Sequence, residues 1–266
     1  MTEIQVFESI RQTVVLISKQ LRFSKFLKHV GRKLALSIED SIALALFKQK
    51  QNIETKKSVY EIFQPPCSYK TLVVSMNRWF KLAVLVLSLL LKHNRKSSHP
   101  IKHTDSTDIP VCLSKNARHH QTMKDYASWS NTGQGYYYGL KLHLTADLNR
   151  NVLAVKFTTA NVADRKVCIP LNRDLMGIFV ADSGYVSAEL EKNFYIAGKR
   201  LILIKPKKNM KKLATAFDTW AYSTRMLIEI NFRNLKLFYG LITSLPRSMA
   251  GYLANYTYSL LAYLLA

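Results

Sequence analysis

The feature that most constrains the fold is a change in residue pattern near residues 93–100, a segment rich in Lys, Ser and His that ends with a proline. Before it, apolar residues such as Ile10 and Val14 recur at helical spacing, and strand signals are few. After it, alternating and β-branched segments begin. The pattern predicts an α-helical module over residues 1–92, a linker over residues 93–100, and a sheet-containing domain with C-terminal helices over residues 101–266.

Four segments after the linker have the composition of strands. Residues 136–146 and 152–159 are separated by turn-forming residues, which predicts a hairpin. Residues 178–182 and 200–205 have the apolar character of buried strands, and residues 188–197 between them have helical spacing. Strands followed by alternating helices and strands are typical of α/β proteins. We therefore expect a mixed sheet flanked by helices.

The helical module allows two interpretations. Several short helices with basic surfaces are compatible with a DNA reader of the helix-turn-helix type. A dimerisation or support domain would have the same helical content, and no turn motif in residues 1–92 decides between them.

Net charge is the strongest signal in the composition. The chain has 39 Lys and Arg against 17 Asp and Glu, which gives a formal net charge of +22. Such an excess favours a polyanionic partner. Because the basic residues are spread along the chain rather than grouped beside an apolar span, we expect nucleic acid and no membrane.

Cysteine usage and apolar runs indicate the compartment. The three cysteines are widely separated and form neither a disulfide framework nor a Cys-x2-Cys zinc pattern. The N-terminus has no signal-peptide pattern, and the apolar run 82–91 has only about half of the roughly 20 residues that a membrane span needs. We therefore expect a cytoplasmic protein.

Two aspartate segments are candidates for a site in the sheet domain. Asp182 follows an apolar strand and precedes a glycine turn, a position that suits either a ligand site or a turn and cap residue. The other segment, which we expect at a strand end where the sheet domain begins, offers Asp105 and Asp108. Period-two alternation places these two on opposite strand faces, and we prefer Asp105 because it shares a face with Ile101 and His103.

A third candidate lies on a late helix, where Tyr222, Arg225, Glu229 and Lys236 follow the spacing Tyr-x2-Arg-x3-Glu-x6-Lys. On one continuous helix these offsets fall within a narrow stripe. A carboxylate between two cations suits an acid that binds a metal beside a phosphate backbone. Taken alone, an exposed Arg225–Glu229 ion pair is the preferred explanation of the pattern.

Three carboxylates from two strand ends and a late helix are what two-metal phosphoryl transfer requires. Magnesium prefers oxygen ligands, and two ions roughly 3.5 to 4 Å apart activate the attacking oxygen and stabilise the leaving one. The basic surface would then supply affinity for the phosphodiester.

With these residues, the sequence over roughly residues 101–240 resembles the DDE-type transposases of bacterial insertion sequences. The resemblance implies a ribonuclease H-like fold that cleaves element ends and joins the freed 3′ hydroxyl to target DNA. It implies that Asp105, Asp182 and Glu229 bind two Mg²⁺ or Mn²⁺ ions. It also implies DNA contacts by Tyr222 and by the basic residues Arg225 and Lys236. It further implies that the protein is a homodimer in the DNA complex and is associated with the nucleoid when bound to DNA.

A lysine-rich segment is a further candidate for DNA contact, and two alternative functions fit the same residues. Lys207, Lys208 and Lys211 belong to a lysine-rich run that either lines the DNA path or forms a solvated loop. A nuclease of the same fold without strand transfer is the nearest alternative activity. A DNA-binding transposase remnant without catalysis is the alternative from a different class.

Overall fold

The computed structural model divides the chain into two compact units, Met1–Leu90 with Asn234–Ala266, and Leu91–Arg233. We refer to them as the helical unit and the sheet unit. The structure describes residues 2–26, 33–133, 135–198, 200–207, 209–210, 213–243 and 246–266.

The elements alternate in type only after residue 100. The helices are α1 (Glu3–Leu21), α2 (Ile38–Lys50), α3 (Lys56–Phe63), α4 (Tyr69–Arg78), α5 (Phe80–Lys96), α6 (Asp164–Leu171), α7 (Ala188–Ile196), α8 (Ala216–Ser223), α9 (Met226–Leu237) and α10 (Met249–Leu264). The strands are β1 (Ile101–Pro110), β2 (Ser128–Thr132), β3 (Gly135–Asp147), β4 (Val152–Thr159), β5 (Ile178–Ala181) and β6 (Leu201–Ile204).

The helical unit is built around α2, which is buried from Ser41 to Gln49. Hydroxyl side chains cap several of its helices: Ser37 accepts a bond from the third backbone N–H of α2, and Thr55 and Ser68 do the same for α3 and α4. The core of the unit combines side chains of α1, α2, α4, α5 and α10. The predicted N-terminal helical region is therefore present.

The C-terminal helix belongs to this core rather than to the sheet unit. Ala254, Tyr258 and Leu261 of α10 pack in the same apolar cluster as α2. The compact units thus differ from the predicted division, which kept residues 234–266 with the sheet. The reason is that α10 is buried around most of its surface and needs apolar neighbours on all sides. The predicted linker also begins inside α5, which continues to Lys96.

One helical stretch among the described residues, Tyr69–Lys96, is long and apolar enough to cross a membrane by length and composition. The core helix of a soluble protein satisfies the same criterion, so the finding is weak evidence for a span. Leu72, Met76 and Leu82 of this stretch lie in the core of the helical unit.

The sheet unit contains a mixed sheet with the main order β4-β3-β1-β5-β6, and β2 pairs with the first residues of β3. The pairs β1–β3 and β3–β4 are antiparallel, whereas β1–β5 and β5–β6 are parallel. The predicted hairpin corresponds to β3 and β4, and the two predicted buried strands correspond to β5 and β6. The predicted mixed sheet with flanking helices is confirmed.

Strand β1 lies in the middle of the sheet and continues to Pro110, so the strand end predicted at residues 103–108 is wrong. It pairs with β3 on one side and with β5 on the other. Its polar residues are typical of an edge strand when read alone, but pairing on both sides satisfies the backbone, and the polar side chains point to specific partners.

Helices cover both faces of the central strands. Phe179, Ala181 and Ile204 pack with residues of α6 and α7 on one face. Ile101 and Val180 pack with Ala221 of α8 on the other. Strands β1 and β5 are therefore fixed from both sides, and the residues that follow their paired segments are held rigidly.

Candidate carboxylate site

The register of β1 and β5 places Asp105 and Asp182 at equivalent positions. His103 is paired with Val180 in this parallel ladder. Asp105 lies two residues after His103, and Asp182 lies two residues after Val180. Each aspartate therefore points to the same face of the sheet as the residue two positions before it. The parallel pairing of β1 with β5 ends here, although β1 itself continues to Pro110, and α/β proteins bind ligands beyond the ends of parallel strands.

The two faces of β1 separate Asp105 from Asp108. His103, on the Asp105 face, forms a hydrogen bond through Nε2 to Thr224 Oγ1 at 2.9 Å, beside α8 and α9. Ser106, on the Asp108 face, donates from Oγ to Asp164 Oδ1 of α6 at 2.8 Å. The alternation used to choose between the aspartates therefore describes the real faces of the strand.

Asp182 makes no side-chain capping bond to the short 3-10 helix Ser183–Tyr185 that follows it. Helix α7 is capped instead by Ser187, whose hydroxyl accepts from the backbone N–H of Leu190 at 3.2 Å. The capping role that the sequence allows for Asp182 is therefore filled by another residue. Its carboxylate stays available for other contacts.

The helix predicted to carry the Tyr-Arg-Glu-Lys spacing is interrupted, so the prediction of one continuous stripe is wrong. Tyr222 belongs to α8, Arg225 lies in the turn between α8 and α9, and Glu229 and Lys236 belong to α9. Tertiary contacts favour the turn, because Thr224 donates a hydrogen bond to Ala221 O at 2.7 Å and also bonds His103.

Arg225 is the centre of the site. Its Nη1 lies 3.1 Å from Asp105 Oδ2 and 3.7 Å from Asp182 Oδ1, and its Nη2 lies 2.5 Å from Glu229 Oε1. One guanidinium therefore contacts all three predicted carboxylates. Since each pair involves a different element of the sheet unit, the fold itself brings the predicted acids together.

The carboxylates differ in exposure. The side chain of Asp105 is 16% exposed, against 42% for Asp182 and 55% for Glu229. Burial raises the pKa of Asp105 to about 7; the Ser106 backbone N–H and Arg225 act against this shift, and Asp182 adds to it. Asp105 is thus the inner acid of the group, and the other two face solvent.

The three acids do not form a ready metal cage. Within the part of the chain that the structure describes, no group of three or more His, Cys, Asp or Glu side chains is arranged to hold a metal ion. The acids converge on the Arg225 guanidinium instead. A cation of another kind would have to replace the guanidinium to be bound by all three.

A second polar cluster lies on the opposite face of β1, and the sequence interpretation missed it. Asp164 pairs with Lys141 Nζ at 3.1 Å and accepts the Ser106 hydroxyl bond. Asp164 also lies 3.7 Å from His143 Nδ1, and burial lowers the pKa of His143 to about 4. The signal available in the sequence is an acid in the first turn of α6. We interpret the cluster as structural support beneath the Asp105 segment.

The other predicted DNA contacts have different surroundings. The Tyr222 hydroxyl donates to Ile204 O at 3.0 Å, and its ring packs with the cluster formed by Ile101, Val180 and Ala221, so this residue anchors α8 to the sheet. Lys236 follows Glu229 by about two turns of α9. Lys207 is exposed after β6, and the predicted contacts Lys208 and Lys211 lie outside the described residues.

Three solved structures show remote similarity. The Mos1 mariner paired-end complex with Mn matches at 13% identity and a TM-score of 0.28, covering 88% of this chain and 78% of that one. The Mos1 transposase paired-end complex with the left transposon end matches at 11% identity and a TM-score of 0.26, covering 86% and 77%. A pre-cleavage Mos1 transpososome matches at 12% identity and 0.26, covering 89% and 79%.

Among curated proteins no sequence matches this chain. A family model described as "Transposase DDE domain" matches residues 95–248, a range that includes Asp105, Asp182 and Glu229. The match covers more than half of the chain and the whole carboxylate site. This chain belongs to the transposase DDE domain family.

Proposed function

We propose that this chain is an insertion-sequence transposase that cleaves DNA at element ends and transfers the freed strand into target DNA. The observation that carries the proposal is the convergence of Asp105, Asp182 and Glu229 on the single guanidinium of Arg225. Family membership supports the class of reaction. The site supports the roles of the individual residues.

The donor set fits divalent metal ions. Asp105, Asp182 and Glu229 offer carboxylate oxygens, which Mg²⁺ and Mn²⁺ prefer. They already hold one cationic group by charge-assisted bonds, and three carboxylates against one guanidinium leave a net negative charge. When bound, two such ions supply activation of the attacking oxygen and stabilisation of the leaving oxygen.

Arg225 has two roles in this proposal. Without metal it neutralises part of the acidic cluster, which keeps three carboxylates close together despite their mutual repulsion. With metal and DNA bound, its guanidinium leaves the carboxylates and contacts a phosphate of the cleaved strand. Guanidinium groups bind phosphate in a bidentate manner, which makes the exchange chemically reasonable.

The remaining proposed contacts follow the DNA path. Lys236 and Lys207 contact backbone phosphates, together with Lys208 and Lys211, and the net charge of +22 supports such a partner. Tyr222 acts through its position, because its hydroxyl is already bonded to Ile204 O. We also propose a homodimer in the DNA complex, since two element ends must be joined, and a cytoplasmic protein that is associated with the nucleoid when bound.

The test uses full-length protein and labelled DNA that carries the natural sequence flanking the coding region. With Mg²⁺ or Mn²⁺ we expect both nicked ends and products joined to an unlabelled target. Joined products separate a transposase from a nuclease of the same fold, which would give cleavage alone.

Two outcomes would contradict the proposal. Cleavage that persists at full rate in Asp182→Asn and Glu229→Gln would remove these residues from the catalytic role. Tight DNA binding without cleavage under any divalent metal would favour the non-catalytic DNA-binding alternative.

A further inference from the structure

The helical unit contains a cavity of about 610 Å³ that the transposition chemistry does not use. It lies between the end of α2, helices α3 and α4, and the segment that leads into α10. Its volume is in the range of cavities that bind small molecules, about 300–1,000 Å³.

Positive charge dominates its lining. The cations that line it are Lys48, Lys56, Lys57, Lys70 and Arg247. Glu54 is the acid among the lining residues. Lys57 already pairs with Glu61 on the surface of α3, at 3.7 Å. The cavity therefore has more cations than its own acid can balance.

The innermost cation is Lys48, which is 7% exposed. No ion pair to it is found among the described residues, and Glu54 acts on it only electrostatically. Burying an ammonium group that has no ion pair costs roughly several kcal/mol of folding free energy. A fold that keeps Lys48 in this position therefore presents to the cavity a cation that has no ion pair among the described residues.

Lys56 lies close enough to Lys48 for the two charges to interact. Its ammonium donates a hydrogen bond to Asn77 Oδ1, which fixes the side chain across the cavity. Burial lowers the pKa of both lysines to about 8, and Lys48 further lowers that of Lys56. Both remain largely protonated near pH 7, so their repulsion would be relieved by an anion bound between them.

One wall of the cavity is apolar. Tyr69, Val73 and Val74 of α4 line it, and Tyr69 is 44% exposed. An aromatic face beside a cluster of lysines suits a ligand that has both a phosphate and a flat apolar group, because bases stack on tyrosine while ammonium groups contact the phosphate.

We propose that this cavity binds a backbone phosphate of a DNA strand between Lys48 and Lys56, with the attached nucleoside against Tyr69. A free nucleotide shares this chemistry, and the choice of DNA rests on the proposed function. The site is separate from the carboxylates of the sheet unit and needs no metal.

The experiment measures binding of full-length protein to a fluorescein-labelled duplex by fluorescence anisotropy, with a chelator present. The double variant Lys48→Met with Lys56→Met is compared with Lys19→Met plus Lys81→Met, which removes two exposed lysines of the same unit outside the cavity. We expect the first pair to lose at least about tenfold in affinity and the control pair less than about threefold. The slope of log affinity against log salt concentration should become smaller by about two in the Lys48→Met, Lys56→Met variant, because two phosphate contacts are lost.

Thermal unfolding checks that the double variant folds, which we expect because an apolar side chain replaces each buried ammonium. If it does not fold, Lys56→Gln removes one charge and keeps a donor toward Asn77, and it should lose a smaller part of the affinity. Equal losses in both lysine pairs, or no loss in either, would overturn the proposal.

The two ligand sources are separated by measuring thermal stabilisation with inorganic phosphate and with deoxyadenosine monophosphate at matched ionic strength. Weak stabilisation by both, together with the loss of duplex affinity, supports a DNA phosphate site. Strong stabilisation by the mononucleotide with unchanged duplex binding would overturn the DNA assignment. Because the assay contains chelator and measures no cleavage, it remains informative if the metal-dependent reaction fails.

Discussion

The two units carry sites of opposite charge imbalance. In the sheet unit, three carboxylates share one guanidinium; in the helical unit, five cations line a cavity with one acid. The carboxylate site balances part of its charge internally through Arg225. Lys48 and Lys56 have no such ion pair among the described residues.

This difference indicates what each site requires. An acidic cluster that retains a guanidinium can exchange it for a metal ion and release the arginine toward phosphate. A basic cavity without an internal counterion gains most from an external anion. Under the two proposals, the sheet unit would carry out chemistry on the phosphodiester and the helical unit would hold it.

The largest expected effect comes from removing a carboxylate. Asp182→Asn keeps the shape of the side chain but removes a charged oxygen donor, so metal-dependent cleavage should fall by at least about 100-fold. Asp108→Asn is the control, because it changes the same residue type in the sheet unit, on the face of β1 opposite Asp105. A steady-state cleavage assay measures both, and equal losses would show that the effect is not specific to the carboxylate site.

The substitution Arg225→Met should have the second largest effect, in this case on stability. Without its guanidinium the three carboxylates repel one another, and the free energy of unfolding should fall by about 1–3 kcal/mol in chelator. Mg²⁺ should restore more stability in this variant than in the wild type.

Chemical denaturation with and without Mg²⁺ measures the Arg225 effect. Arg173→Met is the control, since Arg173 forms an exposed pair with Asp174 and should change stability by less than about 0.5 kcal/mol. A variant at Arg225 with unchanged stability would mean that the guanidinium does not neutralise the cluster.

The third variant, Lys48→Met, should stabilise the fold, whereas Arg225→Met should destabilise it. Lys48→Met removes a buried ammonium, and near pH 7 it should stabilise the fold by about 1–2 kcal/mol. Other titratable groups line the same cavity: Glu54, Lys56, Lys57, Tyr69, Lys70 and Arg247.

The pH dependence of this gain follows from the lowered pKa of Lys48. Below about 8 the folded wild type carries the charge and its full burial penalty. Between about 8 and 10.5 the unfolded chain still binds the proton that the folded chain has lost, so the stability of the wild type rises with pH. The advantage of the variant should therefore shrink across this window. Denaturation curves at several pH values check it, and a constant difference would contradict the burial of the charge.

The smallest expected effect separates a positioning role from a DNA contact. Tyr222→Phe loses the hydrogen bond to Ile204 O and should reduce stability by about 1 kcal/mol. Duplex affinity should remain unchanged, because the hydroxyl is already bonded within the protein. A marked loss of affinity with unchanged stability would assign the hydroxyl to DNA.

Local patterns predicted the parts of the fold that depend on neighbouring residues. The hairpin of β3 and β4 was predicted because alternation and a turn are both local signals. The choice of Asp105 over Asp108 rested on the two-residue period of a strand, and the structure gives the two residues different faces with different partners.

The features that were predicted wrongly depend on contacts distant in sequence. The continuation of β1 through residues 103–108 follows from its pairing with β3, which its polar sequence does not reveal. The turn between α8 and α9 contains no glycine or proline, and the bond from Thr224 to His103 supports it. The association of α10 with α2 likewise depends on which apolar surfaces meet.

The basic cavity was missed for a related reason. Lys48 follows an apolar run in α2, where a lysine usually reaches solvent from a helix end. Only the packing of α3 and α4 around it shows that the ammonium is buried. A single lysine inside an otherwise buried helix is the sequence signal that could have indicated it.

We expect Asp105, Asp182 and Glu229 to form a two-metal site in place of the Arg225 contacts. The most direct measurement is the number of Mn²⁺ ions bound per chain in the presence of duplex DNA, obtained from the electron paramagnetic resonance signal of free Mn²⁺. We expect two bound ions in the wild type and loss of both in the variant with Asp182→Asn and Glu229→Gln. An unchanged number of bound ions in that variant would rule out a metal site at these carboxylates.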